Sequence, residues 1–381
     1  MMPAERVGVV GAGVMGSEIA QAVASSGLAV TLVDVDPAAL ERGVAHVRAI
    51  GERRVARGRM SPQEAEAIAG RVTPVTEMAG LASCDIVIEA VPEVMDLKRK
   101  VWRGIETAAA PGALLATNTS GLSITELGRE TSRPGRMIGL HFFNPASVMR
   151  LVEVIRGEDT TDATLAEGLA LVEQLGKTGV RVKECPGFLV NRVLVRALAE
   201  AFRHAHDIAA EWTPAMMAAA DAATVAAGPA PMGPFTLADL VGLDTLAHIR
   251  DDLHAAYGDR FADGALLAPL VAAGRLGQKT GGGFYTGERP DAEADDAGRE
   301  VAERYYMGAL HETCLCVEEG VATEGDADIA MVLGTGWEAG PVAWARAQGA
   351  GAAARMEALA GQAPRFAVPP LLRALATGSA A

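Results

Sequence analysis

A chain of 381 residues is long enough for two or three domains, and half of this one is hydrophobic. No apolar run approaches the roughly 20 residues that span a bilayer, and no basic start leads into a cleavable apolar segment, so neither a membrane span nor a signal peptide is expected. The net charge of −14 argues against nucleic acid or an anionic membrane as partner, but leaves room for an anionic small molecule wherever positive charge is concentrated.

The fold is expected to start at Arg6. Residues 6–10 read as a buried parallel strand that leads into Gly11-Ala12-Gly13-Val14-Met15-Gly16, and 17–26 continue as a helix. In this G-x-G-x-x-G pattern Gly11 permits a tight turn, Gly13 lets the backbone approach a pyrophosphate, and Gly16 packs the helix on the strand. A second strand, 29–33, ends at Asp34, the spacing at which an acid meets a ribose hydroxyl. With Asp36 nearby, a 2′-phosphate would be repelled, so NAD is favoured over NADP.

The helix expected at 37–57 ends in Arg53, Arg54, Arg57 and Arg59, and the one at 95–110 opens with Lys98, Arg99, Lys100 and Arg103. Such runs are ordinarily solvated faces; here they are also the two places where an acidic protein could hold an anion. Further strands are expected at 71–75, 85–89, 113–117, 136–141, 150–155 and 179–183, the alternation of an α/β doubly wound sheet. Ligands gather at the carboxyl ends of such strands, which marks Glu93, Asn118 and Ser120 as candidate ligand contacts.

Within Leu151-Val152-Glu153-Val154-Ile155, Glu153 shares a face with Leu151 and Ile155. An unpaired carboxylate there would cost several kcal/mol, on the order of the penalty for a buried polar group. It needs a partner, and His141 on a neighbouring strand is the obvious one; a carboxylate that orients an imidazole makes it a general base. Cys84, Cys185, Cys314 and Cys316 form no C-x-x-C pair, and the seven histidines do not cluster, so no metal site is expected and a reducing cytoplasm is the default compartment.

From Pro186 the pattern turns helical: 187–210, carrying Asn191 near its start, then 214–226, 236–257 and 264–274. A glycine-rich turn at 277–285 holds Lys279, and the acidic stretch 287–298 reads as a linker. The segment after it echoes the helices before it. Ala220-Asp221-Ala222-Ala223 is answered by Ala327-Asp328-Ile329-Ala330 and Met232-Gly233-Pro234 by Ala339-Gly340-Pro341, in one register. With a small change in length, Leu198-Ala199-Glu200-Ala201 is answered by Leu310-His311-Glu312-Thr313. The expected organisation is a Rossmann-like dinucleotide-binding domain (1–184), an all-α domain (185–286) and a second, degenerate copy of that helical domain (299–377).

These motifs, in this order, closely resemble the 3-hydroxyacyl-CoA dehydrogenase family: Gly-Ala-Gly-Val-Met-Gly (11–16), Val-Ile-Glu-Ala (87–90), Asn118-Thr119-Ser120, His-Phe-Phe-Asn-Pro (141–145), Leu-Val-Glu-Val-Ile (151–155), Pro-Gly-Phe-Leu-Val-Asn-Arg (186–192), Pro-Met-Gly-Pro (231–234) and Gly-Gly-Gly-Phe-Tyr (281–285). The match covers about residues 6–286. The resemblance implies NAD-dependent, reversible oxidation of a (3S)-3-hydroxyacyl-CoA, a step of fatty-acid β-oxidation among other routes. His141 would be the base and Glu153 its orienting carboxylate, with Ser120 and Asn191 positioning the substrate. Asp34, Glu93, Lys98, Ser120 and Asn144 would hold NAD, with Lys279 near the cleft mouth and Arg53, Arg54 and Arg57 a site for the CoA phosphates. Family members with one helical domain form homodimers through it, so a second copy in the same chain implies a monomer, with a homodimer as the alternative. The chain departs from the family at Gly121, Gln278 and Gly282, which touches substrate contacts and leaves the His141–Glu153 pair intact. A dehydrogenase of a free hydroxy acid and a non-catalytic NAD-binding relative are the competing readings.

Overall fold

The computed structural model describes residues 4–209 and 211–377. The chain divides into two compact units between Cys185 and Pro186. In the first unit eight strands form one sheet: β1 (Arg6–Val10), β2 (Ala29–Val33), β3 (Val72–Val75), β4 (Ile86–Glu89), β5 (Leu114–Thr117), β6 (Met137–Phe142), β7 (Leu151–Arg156) and β8 (Thr178–Lys183). Their order is β3-β2-β1-β4-β5-β6-β7-β8; β3 to β6 run parallel, and β7 turns against β6 with β8 parallel to it. The strands at the centre are buried from end to end, which explains their unbroken Val, Ile and Leu runs. Each such side chain taken fully out of water contributes about 1.5–3 kcal/mol.

Six helices join the strands: α1 (Val14–Ser25), α2 (Pro37–Ala56), α3 (Pro62–Gly70), α4 (Met95–Ala108), α5 (Ile124–Gly128) and α6 (Asp162–Gln174). Their starts follow local chemistry. Asp36 accepts the Ala38 N–H ahead of Pro37, and Ser61 with Glu64 forms a reciprocal capping box. The strand order reverses between β1 and β4, opening the crevice where nucleotide ligands bind in such sheets.

The second unit comprises α7 (Val190–Ile208), α8 (Pro214–Ala227), α9 (Pro234–Val241), α10 (Leu243–Tyr257), α11 (Leu267–Ala272), α12 (Asp296–Glu318), α13 (Glu324–Thr335), α14 (Pro341–Gln348), α15 (Ala350–Gln362) and α16 (Pro370–Thr377). The helix expected to reach residue 210 ends at Ile208; residue 210 itself lies outside the described residues. The single helix expected at 236–257 is two, because Gly242 adopts a φ of 100° that breaks the ladder. The linker is shorter than expected, since Asp295 caps α12 through the Gly298 N–H, and a side chain at Gly298 would press on the Ala219 carbonyl at 2.8 Å. The helices after the linker pack along α7 and α8 within the same unit rather than as a separate body.

The echo seen in the sequence has a matching geometry. Asp221 accepts the N–H groups of Phe235 (2.9 Å) and Thr236 (3.0 Å), capping α9. Asp328 accepts those of Val342 (2.8 Å) and Ala343 (2.9 Å), capping α14 in the same way. In both places a Cβ on the preceding glycine, Gly233 or Gly340, would collide with the aspartate. No helix among the described residues is long and apolar enough to cross a membrane.

Candidate active site

The glycine loop has the form a dinucleotide needs. Gly11 has a φ of 105°, and a Cβ there would lie 2.7 Å from the Ala90 carbonyl; one on Gly16 would strike the Gly11 carbonyl. At Gly13 an added Cβ meets nothing within 4 Å, so the turn is open on the side where α1 presents its first N–H groups, and no side chain caps them. Asp34 Oδ2 accepts the Ala12 N–H at 2.8 Å and Oδ1 the Asp36 N–H at 3.0 Å. The carboxylate is thus fixed against the loop with lone pairs left for ribose hydroxyls. Val14, Val35 and Val94, which follow β1, β2 and β4, are all exposed.

His141 and Glu153 are directly opposite each other on β6 and β7, and Nδ1 lies 2.7 Å from Glu153 Oε2. The glutamate is wholly buried and the histidine 7 % exposed. Leu140, Phe142, Val152 and Val154 point to the other side, into the main core, so the pair occupies its own face of the sheet. β6 runs past the end of β5, and Asn118 extends the ladder in its place: its Oδ1 accepts the Phe142 N–H at 2.8 Å. Asn118 therefore supports the strand that carries His141.

Ser120 lies on the loop after β5, and its hydroxyl has no hydrogen bond among the described residues. Its backbone N–H donates to Glu93 Oε1 at 2.8 Å, and the Gly121 N–H to the same oxygen at 3.2 Å. Burial would push Glu93 up, but Lys98, the Thr119 hydroxyl and the Ser120 N–H together hold its carboxyl below the usual range. Lys98, expected to hold NAD, lies behind Glu93 on α4. It is 1 % exposed, and its ammonium is engaged by Glu89 (2.7 Å), Glu93 (3.2 Å) and the Val91 carbonyl (3.2 Å). Asn144 is exposed on the loop after β6.

Two supports of that loop escaped sequence reasoning. Glu18 on α1 accepts the Ser147 N–H at 2.9 Å, and Lys177 donates to the carbonyls of Ala146 and Met149 at 2.6 Å each. Neither sits within an apolar run like that around Glu153, so nothing local marked them. Asn191, half-buried in the first turn of α7, and Lys279, paired with Asp244, belong to the second unit. Arg53, Arg54, Arg57 and Arg59 cluster at the end of α2 and just beyond, with no ion-pair or side-chain hydrogen-bond partner among the described residues.

Residues 6–185 match the family model for the NAD-binding domain of 3-hydroxyacyl-CoA dehydrogenase, and 187–287 the model for its C-terminal domain. A probable 3-hydroxybutyryl-CoA dehydrogenase of Bacillus subtilis is 39 % identical over 285 residues, which is 74 % of this chain and 98 % of that protein. The crystal structure of the Escherichia coli K12 3-hydroxybutyryl-CoA dehydrogenase superposes with a TM-score of 0.89 at 28 % identity, covering 99 % of both chains. The fatty acid oxidation complex subunit alpha of Psychrobacter arcticus is 36 % identical over 86 % of this chain, which spans only 48 % of that subunit.

Proposed function

The chain belongs to the 3-hydroxyacyl-CoA dehydrogenase family of NAD-dependent enzymes, and from that membership we propose that it interconverts (3S)-3-hydroxyacyl-CoA and 3-oxoacyl-CoA with His141 as the base. The observation that carries this reading is the buried 2.7 Å contact between His141 Nδ1 and Glu153, on the same sheet as the open glycine loop. A proton on Nδ1 held by Glu153 leaves Nε2 as the acceptor, so the tautomer is set by the carboxylate. Nε2 takes the proton of the 3-hydroxyl, and Glu153 stabilises the resulting imidazolium. Bound NAD+ supplies the acceptor for the hydride that leaves C3. In the reductive direction the protonated ring donates to the forming alkoxide. The Ser120 hydroxyl and the Asn191 amide are the donors assigned to the substrate's oxygens. Asp34 and Asp36 select NAD over NADP, and four cysteines without a C-x-x-C pair suit a cytoplasmic location.

The test is to mix the purified protein with acetoacetyl-CoA and NADH and follow the loss of NADH absorbance, with NADPH as control. Turnover with NADH and little with NADPH is expected. If NADH binds but no 3-oxoacyl-CoA of any chain length is reduced, the proposal fails, and a free hydroxy acid or a non-catalytic role takes its place.

The unpaired arginines at the end of α2 are assigned to the CoA phosphates, because an acidic protein that binds a polyanion needs local positive charge. Arg54→Glu/Arg57→Glu should raise KM for the CoA ester about tenfold or more while Kd for NADH stays nearly constant. Equal damage to both would remove the assignment.

The twin Asp-capped helices support the reading of the second unit as a duplicated helical domain. In the repeat register Glu303 stands opposite Asn191, so the second copy lacks the substrate-facing amide. With α12 it covers a face of α7 that a chain ending near residue 287 would leave open to a second subunit. A monomer is therefore expected; sedimentation as a tight dimer at micromolar concentration would count against it.

A further inference from the structure

We propose that Arg192 is a positioning residue for the reaction: held by Glu312 on α12 and by Glu319 at its end, it fixes the first turn of α7 and with it the substrate-facing amide of Asn191. This deepens the reading above and rests on the role assigned there to Asn191. No hydrogen bond holds the Asn191 side chain among the described residues, so the backbone of that turn decides where the amide sits. The turn needs holding. Leu189, at the N-cap, brings no side-chain acceptor to it, and the two residues before Leu189 are both left-handed.

Gly187 has a φ of 73° and Phe188 a φ of 51°. Glycine takes that conformation freely, and a Cβ at 187 would lie only 2.7 Å from the Leu253 side chain of α10. A phenylalanine does not take it freely; it stays left-handed only where its surroundings leave no alternative. Phe188 is 1 % exposed, which pins its ring, and the Arg192 N–H closes the turn by donating to the Gly187 carbonyl at 3.1 Å. Residue 192 is therefore the point where the strained entry meets the regular helix.

The Arg192 side chain ties that point to the rest of the unit. It has no exposed surface; Nε donates to Glu312 at 2.7 Å, and Nη1 and Nη2 donate to the two oxygens of Glu319 at 2.7 and 2.9 Å. The centroid of the Tyr257 ring, at the end of α10, lies 4.2 Å from the guanidinium carbon. A two-pronged pair of this kind fixes direction as well as distance, which a lysine would not. Glu312 lies within α12 and Glu319 follows its last residue, so both carboxylates come from the second helical copy. The copy that lacks a substrate amide of its own thus steadies the amide of the first.

Removing Arg192 would orphan the buried Glu312, so the test removes Glu319, which is partly exposed and leaves the Arg192–Glu312 pair in place. Glu319→Ala should lower kcat for acetoacetyl-CoA reduction about tenfold or more, the scale of a reacting group slightly out of place, with NADH Kd within about threefold of wild type. Glu319→Gln keeps one acceptor for the guanidinium and should lose less. A merely structural role would slow any variant alike, so the deciding measurement is a cycle with Asn191→Ala. In that background Glu319→Ala should change kcat by less than about twofold, because the group it positions is gone. A wild-type kcat in Glu319→Ala, or the same loss with and without Asn191, overturns the proposal.

Hydrogen exchange reads the same contact without turnover. The Arg192 amide should exchange about tenfold or more faster in Glu319→Ala than in wild type, while amides in the middle of α7, such as that of Leu198, keep their rate. Unchanged exchange at Arg192 overturns the proposal. Faster exchange throughout α7 overturns it too, because the substitution would then have loosened the whole helix. Should the wild type reduce no 3-oxoacyl-CoA, the proposed function fails, but the Arg192 amide still decides whether Glu319 fixes the turn.

Discussion

Replacing His141 with alanine should lower kcat for 3-oxoacyl-CoA reduction by about 10²–10⁴-fold, the contribution of a positioned general acid–base group, while NADH continues to bind. The expectation follows from where the ring sits. It is nearly buried and its Nδ1 lies 2.7 Å from Glu153, so Nε2 is the nitrogen assigned to exchange a proton with a substrate. Stopped-flow traces of NADH oxidation give kcat, and fluorescence titration gives the NADH Kd. Glu153→Gln separates orientation from charge, because the amide oxygen still accepts the Nδ1 proton but no longer stabilises an imidazolium. It should cost less than His141→Ala, about 10- to 100-fold. A His141→Ala enzyme within about tenfold of wild type would place the proton transfer elsewhere.

The pair was legible in the sequence because the side-chain period of a strand is two. Glu153 between Leu151 and Ile155 on a buried face demanded a partner, and the antiparallel register puts His141 opposite it. The strands were legible for the same reason, with apolar runs bounded by polar clusters. What depends on neighbours distant in the chain was not. Nothing local to Lys98 reveals that Glu89 at the end of β4 and Glu93 and the Val91 carbonyl of the following loop converge on its ammonium. Asn118 was marked for its place after a strand, yet its oxygen serves the Phe142 backbone, a need that arises only because β6 outlasts β5. The break at Gly242 was hidden by good helix formers on both sides. The fold was therefore read from local periodicity, while the supports of the site come from strand-to-strand geometry.

The helical unit carries the second large effect: Glu312→Ala should destabilise it by about 3–5 kcal/mol, the cost of leaving buried charges without their partner. Glu312 has no exposed surface on α12, and its Oε1 accepts from Arg192 Nε at 2.7 Å. Arg260 approaches the same oxygen at 3.5 Å, and Arg196 lies 3.9 Å from Oε2. Burial, then the positive charge of Arg196, hold the neighbouring His311 neutral, pushed down to about 3. A lysine or histidine left here could shed its proton, but an arginine cannot. The facing helix repeats the arrangement, for Glu200 on α7 accepts from Arg365 at 2.6 and 3.0 Å as Glu312 meets Arg260, and each of these arginines precedes a buried phenylalanine, Phe261 or Phe366. Each half thus supplies the cation for the other half's carboxylate, and loss of Glu312 should loosen the contact between α7 and α12. Urea unfolding in a Trp102→Phe background reports the second unit alone, since Trp212, Trp337 and Trp344 all lie there. The exposed Arg299–Asp296 pair is the control; Asp296→Ala should cost no more than about 1 kcal/mol. If Glu312→Ala were as mild, Glu319, which already holds Arg192 at 2.7 Å from a partly exposed position, would be compensating the cluster with the help of solvent.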